Sequence, residues 1–144
     1  MNVQSILGGK GGGVVTVVAG TSIADAAMHM RDHRVGALIV SEDGQHIDGI
    51  VSERDIVRAL AYHGATVLGR AVSSVMSTDV VTCGADDAVE SLMAAMTDRR
   101  IRHLPVVDEQ GVLGGVVSIG DVVKSRLGQL ENERQQLVEY IQGH

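Results

Sequence analysis

The residues best suited to chemistry in this 144-residue chain are two serine–aspartate pairs in matching surroundings, Gly49-Ile50-Val51-Ser52-Glu53-Arg54-Asp55 and Gly115-Val116-Val117-Ser118-Ile119-Gly120-Asp121. In each, an apolar strand-like run gives way to a helix at the serine. Backbone N–H groups and the positive end of a helix then lie at the mouth of a cleft, where a phosphate is favoured. The aspartate falls one turn inside. As an acceptor-only carboxylate it repels phosphate but takes hydrogen bonds from two adjacent hydroxyls, such as the 2′ and 3′ of a ribose. Such an aspartate suits a nucleoside. The same pattern also has a purely structural meaning, because Ser-x-x-Asp before an apolar run is a helix capping box. A duplicated unit duplicates its caps, so repetition does not choose between the two readings.

A second feature favours a ligand. Arg99-Arg100-Ile101-Arg102-His103 concentrates positive charge in a chain of formal net charge −6. Arg99 and Arg100 read as the basic last turn of a helix, complementing its dipole. Arg102 and His103 lie beyond it, where the first copy has Gly36 and Ala37. With Arg54 they offer charge-assisted hydrogen bonds to phosphate oxygens. Other motifs point to little chemistry. Gly8 to Gly13 lacks the Lys-Ser/Thr ending of a phosphate loop and precedes a strand, so it reads as a flexible connector from which Lys10 can approach a ligand in the first cleft. Asp25, His29 and His33 share a helical face and read as a solvated stripe, with no metal site assigned. Cys83 reads as a small core residue. No nucleophile–base set follows from any spacing, and the chain reads as a non-enzyme.

Composition narrows the field further. With 1% aromatic residues, no Trp and no Phe, stacking platforms for single-stranded nucleic acid are excluded, and the acidic balance argues against tracking a phosphate backbone. A bound ring has to lie on aliphatic side chains such as Val35, Ile101 and Val116. One cysteine excludes an internal disulfide and suits a reducing cytoplasm. No stretch reaches the roughly 20 apolar residues of a membrane span, and no signal core precedes the first strand. The expectation is a soluble cytoplasmic protein with neither nucleic acid nor membrane as partner.

The elements that position these residues come in two copies. Val14-Val15-Thr16 recurs as Val80-Val81-Thr82, Arg34-Val35 as Arg100-Ile101, Leu38 and Val40 as Leu104 and Val106, and the serine–aspartate segments likewise, each 66 positions on, as from Gly49 to Gly115. Upstream the offset is 69, pairing Val3 with Val72 and Ile6 with Val75, so the glycine-rich segment carries three extra residues. Each copy predicts strand, helix, strand, strand, helix. Asp87-Ala88-Val89-Glu90 reads as a capping box, and Pro105 as a strand start or edge. The organisation expected is a first repeat over 1–62, a linker over 63–71, a second repeat over 72–126 and a helical tail over 127–144. Its apolar stripe (Leu130, Leu137, Val138, Ile141) is expected to dock on the module or a second subunit, with Gly128 weakening its continuity. Copies of about 60 residues are marginal alone, so the two are expected to share one core. The fold class is α+β, sandwich-like, with two β-α-β-β-α repeats related by a pseudo-twofold axis.

These motifs together, from Val3 to Val123, resemble a tandem cystathionine-β-synthase (CBS) domain pair. The segments that carry the likeness are Val80-Val81-Thr82, Arg100 to Asp108 and Gly115 to Asp121, with their first-copy partners. The resemblance implies a disc-like regulatory module with two clefts for adenosine-containing ligands: AMP, ADP, ATP, NAD(H) or S-adenosylmethionine. By that resemblance Asp55 and Asp121 take ribose hydroxyls, and Ser52 and Ser118 sit near ribose or phosphate. Backbone around Thr16-Val17, Thr82-Cys83, Val35-Ala37 and Ile101-His103 frames the adenine. Pro105 in place of Ile39 and Gly120 in place of Arg54 make the clefts unequal. The implied function is a sensor that signals occupancy through conformation or homodimer assembly to a regulated partner. The alternative is a scaffold with vestigial clefts.

Overall fold

The computed structural model describes residues 1–10 and 14–143. Its elements run α1 (Val3–Lys10), β1 (Thr16–Val17), α2 (Ile23–His33), β2 (Ala37–Val40), β3 (Gly49–Ser52) and α3 (Glu53–His63), then 3-10 turns over Gly64–Gly69 and Val72–Ser74. The second half follows with α4 (Val89–Arg99), β4 (His103–Val107), β5 (Leu113–Ser118) and α5 (Ile119–Ile141). In the first sheet β1 lies parallel to β2 and β2 antiparallel to β3. In the second, β4 and β5 are antiparallel and Cys83 bridges Val106 in parallel, as Val17 pairs with Val40. The topology is therefore the same in both halves. Pro105 is not at the start of its strand but inside β4, opposite Val116; β4 is an edge strand of its two-stranded sheet, in line with the edge reading. The Pro105 carbonyl accepts the Cys83 N–H at 2.9 Å and the Val107 N–H reaches the Cys83 carbonyl at 2.9 Å. Proline has no N–H to add to that edge, and only a single bridge stands where the first copy has a strand pair.

The predicted capping box at Asp87–Glu90 does not form. The N-cap of α4 is Ala88, without a side-chain cap, whereas the corresponding Ser22 accepts from the Asp25 N–H. Asp87 instead accepts the Gly84 N–H at 2.9 Å, and Glu90 faces Arg126 at 3.7 Å. Both helices end alike. Arg34 and Arg100 take left-handed conformations at φ 55° and 54°, and the next residues, Val35 and Ile101, donate back to Met30 and Met96, each at 3.0 Å. This closes the last turn as a glycine would, although the arginine Cβ is crowded there.

The expectation of one shared core fails in an instructive way. There are two cores. One holds Val17, Ile23, Ala26, Met30, Leu38, Val40, Val51 and Ile56 together with Val67 and Val72. The other holds Cys83, Val89, Leu92, Met96, Leu104, Val106, Val117 and Val122 together with Val3 and Ile6. Each repeat is completed by the segment that leads into the other, which supplies the apolar area that about 60 residues lack. Residues 1–10, grouped by sequence with the first repeat, thus pack on the second. The exchange is symmetric bond by bond. Val3 N–H donates to the Asp87 carbonyl and Val72 N–H to that of Thr21; Gln4 to Ala85 and Ser73 to Ala19; Val89 to Met1 and Ile23 to Arg70. Even the side chains that close over the sheets correspond. A Cβ on Gly49 would meet Met76 Sδ at 2.6 Å, and one on Gly115 would meet Leu7 Cδ2 at 2.6 Å. Here the glycines are required for close approach.

The glycine-rich segment is helical as far as Lys10 rather than a connector from Gly8; Gly11 to Gly13 and the side chain of Lys10, with its expected approach to a ligand, lie outside the described residues. Helix α5 runs through Gly128 without interruption. Its stripe is largely left open on the module: Leu130, Leu137 and Ile141 are 45%, 59% and 74% exposed, and Val138 is half-buried. No helix of the described residues is long and apolar enough to cross a membrane. The left-handed arginines give a direct test. Arg100→Gly relieves about 1–2 kcal/mol of Cβ crowding against about 0.5–1 kcal/mol of added chain entropy. We expect Tm to rise by about 2 °C, whereas Ala95→Gly in the interior of α4 lowers it by a few degrees. Thermal unfolding followed by circular dichroism measures both, and a lower Tm for Arg100→Gly refutes the strain.

Candidate functional site

Each half brings the end of one strand, the start of its partner and a helix N-terminus to one point. Ala37 pairs with Ser52 across β2 and β3, and His103 with Ser118 across β4 and β5. The serines are the N-caps of α3 and α5, and both capping boxes are complete. Asp55 Oδ2 accepts the Ser52 N–H at 2.8 Å and the Ser52 hydroxyl at 3.1 Å, and the Asp55 N–H returns to Ser52 Oγ at 3.3 Å. In the second copy Ser118 N–H reaches Asp121 Oδ2 at 2.9 Å and Asp121 N–H reaches Ser118 Oγ at 3.1 Å. The first helical N–H is taken as well: Glu53 donates to the Gly36 carbonyl at 2.9 Å and Ile119 to that of Arg102 at 2.8 Å. Of the donors at a helix start, only the N–H of Arg54, or of Gly120, is left by these bonds. The helix ends are thus mostly self-satisfied, and recognition of an anion falls to side chains.

The halves meet where His103 crosses towards the first copy. A Cβ added to Gly36 would collide with Glu53 Oε1 and come within 3.2 Å of His103 Nε2. His103, half-buried, therefore lies over the β2 start of the opposite repeat, together with Glu53. Glu53 is a site residue that the sequence reading missed; its signal was the asymmetry with Ile119, which holds the same position in the second copy. A groove of about 490 Å³ extends from Arg31 and Arg34 past Val35 and Gly36 to Glu53 and Val57. That volume is within the range of small-molecule sites, and Arg31 and Arg34 add cations that the sequence reading did not assign. Asp55 is not in its lining. It borders a separate depression on another face of α3.

The remaining candidates divide by what their backbones are doing. Thr16 pairs with Ile39 and is half-buried, while Thr82 is exposed. Both backbone groups of Cys83 are committed to β4, and its thiol is pushed up to about 11, first by burial and then by the charge of Asp87; it is protonated and unreactive near neutrality. Ile101 is half-buried and Val35 is 37% exposed, each just before a strand, and Val116 is half-buried inside β5. Arg54 and Arg102 are exposed beside the helix starts. Arg99 and Arg100 terminate α4, as their structural reading had it. His33 Nδ1 is 3.0 Å from the His29 carbonyl, and no group of three or more metal-ligating side chains occurs among the described residues.

Comparison with known proteins bears on this arrangement. A family model of the CBS domain matches residues 13–62 and again 72–128. The mitochondrial CBS domain-containing protein CBSX3 of Arabidopsis thaliana is 38% identical over 126 residues, 85% of this chain and 61% of that protein, so the chain spans about three fifths of this relative. The crystal structure of a CBS-domain containing protein from Agrobacterium tumefaciens superposes with a TM-score of 0.82 at 43% identity, covering 87% of this chain and 92% of that one. The CBS domain pair of protein MJ0100, in complex with 5′-methylthioadenosine and S-adenosyl-L-methionine, gives a TM-score of 0.79 at 26% identity, over 90% and 98% of the two chains. A CBS domain protein of Pyrobaculum aerophilum complexed with AMP gives 0.75 at 27%, over 84% and 89%. Two matched repeats, their exchanged leads and these superpositions together make the chain a member of the CBS domain family, built as a tandem pair.

Proposed function

We propose that the chain is a regulatory module that binds an adenosine-containing ligand where the repeats meet and does not turn it over. The observation that carries this is the doubled junction of strand start and Ser-x-x-Asp helix start, with His103 of one repeat lying over Gly36 of the other. Support comes from the MJ0100 pair with its S-adenosyl-L-methionine and 5′-methylthioadenosine and from the AMP complex of the Pyrobaculum protein. The ligand class is AMP, ADP, ATP, NAD(H) or S-adenosylmethionine. Asp55 and Asp121 turn towards ribose hydroxyls, Arg102 and His103 towards phosphate, and Val35, Ile101 and Val116 carry the ring. Because His103 spans the two halves, an anion bound there favours one arrangement of the repeats, which a regulated partner reads. A reducing compartment, such as the cytoplasm, is part of this reading. The competing one is a scaffold with vestigial clefts, and the near-saturation of the helix starts is the observation in its favour.

The module is further proposed to be a homodimer through α5. Val123, Leu127, Leu130, Leu137 and Ile141 recur at heptad spacing, and all are exposed. A projecting helical segment of this length is marginal in water by itself, and such a stripe suits the seam of a coiled coil.

Two experiments test these readings. Thermal shift and calorimetry against the named ligands should show a stabilisation of about 2.7 kcal/mol at 100 times Kd, roughly 5–10 °C for a chain of this size. Asp55→Asn and Asp121→Asn should each weaken binding about tenfold or more. Gly36→Ala displaces only the ends of two flexible side chains, so it should leave Tm almost unchanged while lowering affinity. No shift with any adenosine ligand would leave the scaffold standing. Light scattering should give twice the chain mass for the wild type and a monomer for Leu127→Asp/Leu137→Asp; equal masses would remove α5 from the interface.

A further inference from the structure

Where α3 faces the segment that joins the repeats, Asp55, Arg58, Tyr62 and His63 of the helix and Arg70 and Ser74 of that segment line a depression of about 250 Å³. Neither guanidinium forms an ion pair among the described residues, although the chain carries an excess of carboxylates. The Asp55 carboxylate is already tied to the N–H and hydroxyl of Ser52. Two permanent positive charges brought to one hollow repel one another unless an anion sits between them.

The pseudo-twofold axis supplies an internal control, since whatever the fold requires here it must also require in the other half. The counterparts of Arg58, Tyr62 and His63, 66 positions on, are Lys124, Gly128 and Gln129; those of Arg70 and Ser74, 69 positions back, are Met1 and Ser5. The backbone is common to both halves: the Arg70 carbonyl accepts the Ile23 N–H at 2.9 Å and the Met1 carbonyl accepts that of Val89 at 3.4 Å. Folding therefore needs neither the second arginine nor the histidine nor the tyrosine. Their assembly in one half alone is chemistry rather than architecture.

We propose that this depression is a binding site for a small phosphate anion, either inorganic phosphate or the phosphate of a compact ester. Its volume falls below the roughly 300 Å³ at which sites for larger ligands begin, and arginine forks suit tetrahedral oxyanions. The acceptors in its lining make the choice narrower. Ser74 donates its hydroxyl proton to the Ala71 carbonyl at 2.7 Å, so its Oγ presents lone pairs, whereas the Asp55 carboxylate, tied to Ser52, opposes a dianion. Ser74 Oγ accepts from a P–OH group or an ester hydroxyl, which a fully deprotonated sulfate does not have. This site lies apart from the Val35–Gly36 groove but borders Asp55, which the adenosine reading also uses, so the arm with phosphate-free adenosine is what keeps the two readings distinguishable. An anion held there fastens α3 to the connection between the repeats.

Calorimetry and amide NMR on the full chain, with inorganic phosphate and sulfate at matched ionic strength, test the proposal. Phosphate should shift amides over 58–63 and 70–75. Arg58→Gln and Arg70→Gln should each weaken it about tenfold or more, with unchanged melting in its absence because both side chains are exposed. Lys124→Gln should bind as the wild type does, and sulfate should bind more weakly than phosphate. Ribose 5-phosphate beside inorganic phosphate tells an ester from the free ion, and adenosine, which has no phosphate, reports separately on the cleft. No phosphate shift in these segments, wild-type affinity in both arginine variants, or sulfate equal to phosphate would overturn the site.

Discussion

The exchange of leading segments is the constraint on which the rest of the structure depends. Val3 and Ile6 enter the second core and Val72 enters the first, so neither repeat has a complete interior of its own. The hydrogen bonds that hold these segments correspond pair by pair across the chain, and so do Leu7 over Gly115 and Met76 over Gly49. Apolar burial at about 25 cal/mol per Å² then acts between the repeats as well as within them. The β2–β3 turn adds a polar tie, with the Leu113 N–H on the Gln45 carbonyl at 2.7 Å. That turn is itself braced by His46 on Asp43 at 2.7 Å, a contact that lowers the Asp43 pKa and raises that of His46.

Because the repeats are fixed this way, the helix starts occupy equivalent places, and there Ser-x-x-Asp is taken up by capping. Capping takes the N–H of the serine, of the first helical residue and of the aspartate in both copies. The groups that the symmetry does not repeat are Glu53 against Ile119, Arg54 against Gly120 and His103 against Ala37. The scaffold is nearly symmetric while its chemistry is one-sided.

Much of this was legible in the sequence because register is a one-dimensional property. The offsets of 66 and 69 reappear as hydrogen-bond partners, and Ser52 and Ser118 are the N-caps the strand–helix transition predicted. Two readings failed where local pattern was overruled by three-dimensional context. Asp87 turned back to Gly84 because the start of α4 is set one residue later by the bridge of Ala88 to Asn2. The single core became two because apolar content says how much is buried and not which copy a segment joins. The edge reading of Pro105 held: its missing N–H falls on the side of β4 where the partner strand shrinks to one bridge. Glu53 and the arginines of the α2–α3 groove were invisible to motif reading, since only packing brings them together.

The swapped N-terminal helix also sets an order of events during synthesis. The partners of α1 are the Ala85 and Asp87 carbonyls and the sheet face at Gly115, so Val3 waits 84 positions for Asp87 and Leu7 waits 108 for Gly115. Until β5 has left the ribosome, the apolar side of α1 has no home in the chain, although the first core, closed by Val72, can already form. Chain elongation at about 5–20 residues per second makes that an interval of several seconds in which a nascent first repeat exists with an unpaired helix in front of it. Helix α1, made before the first repeat, finds its place after it.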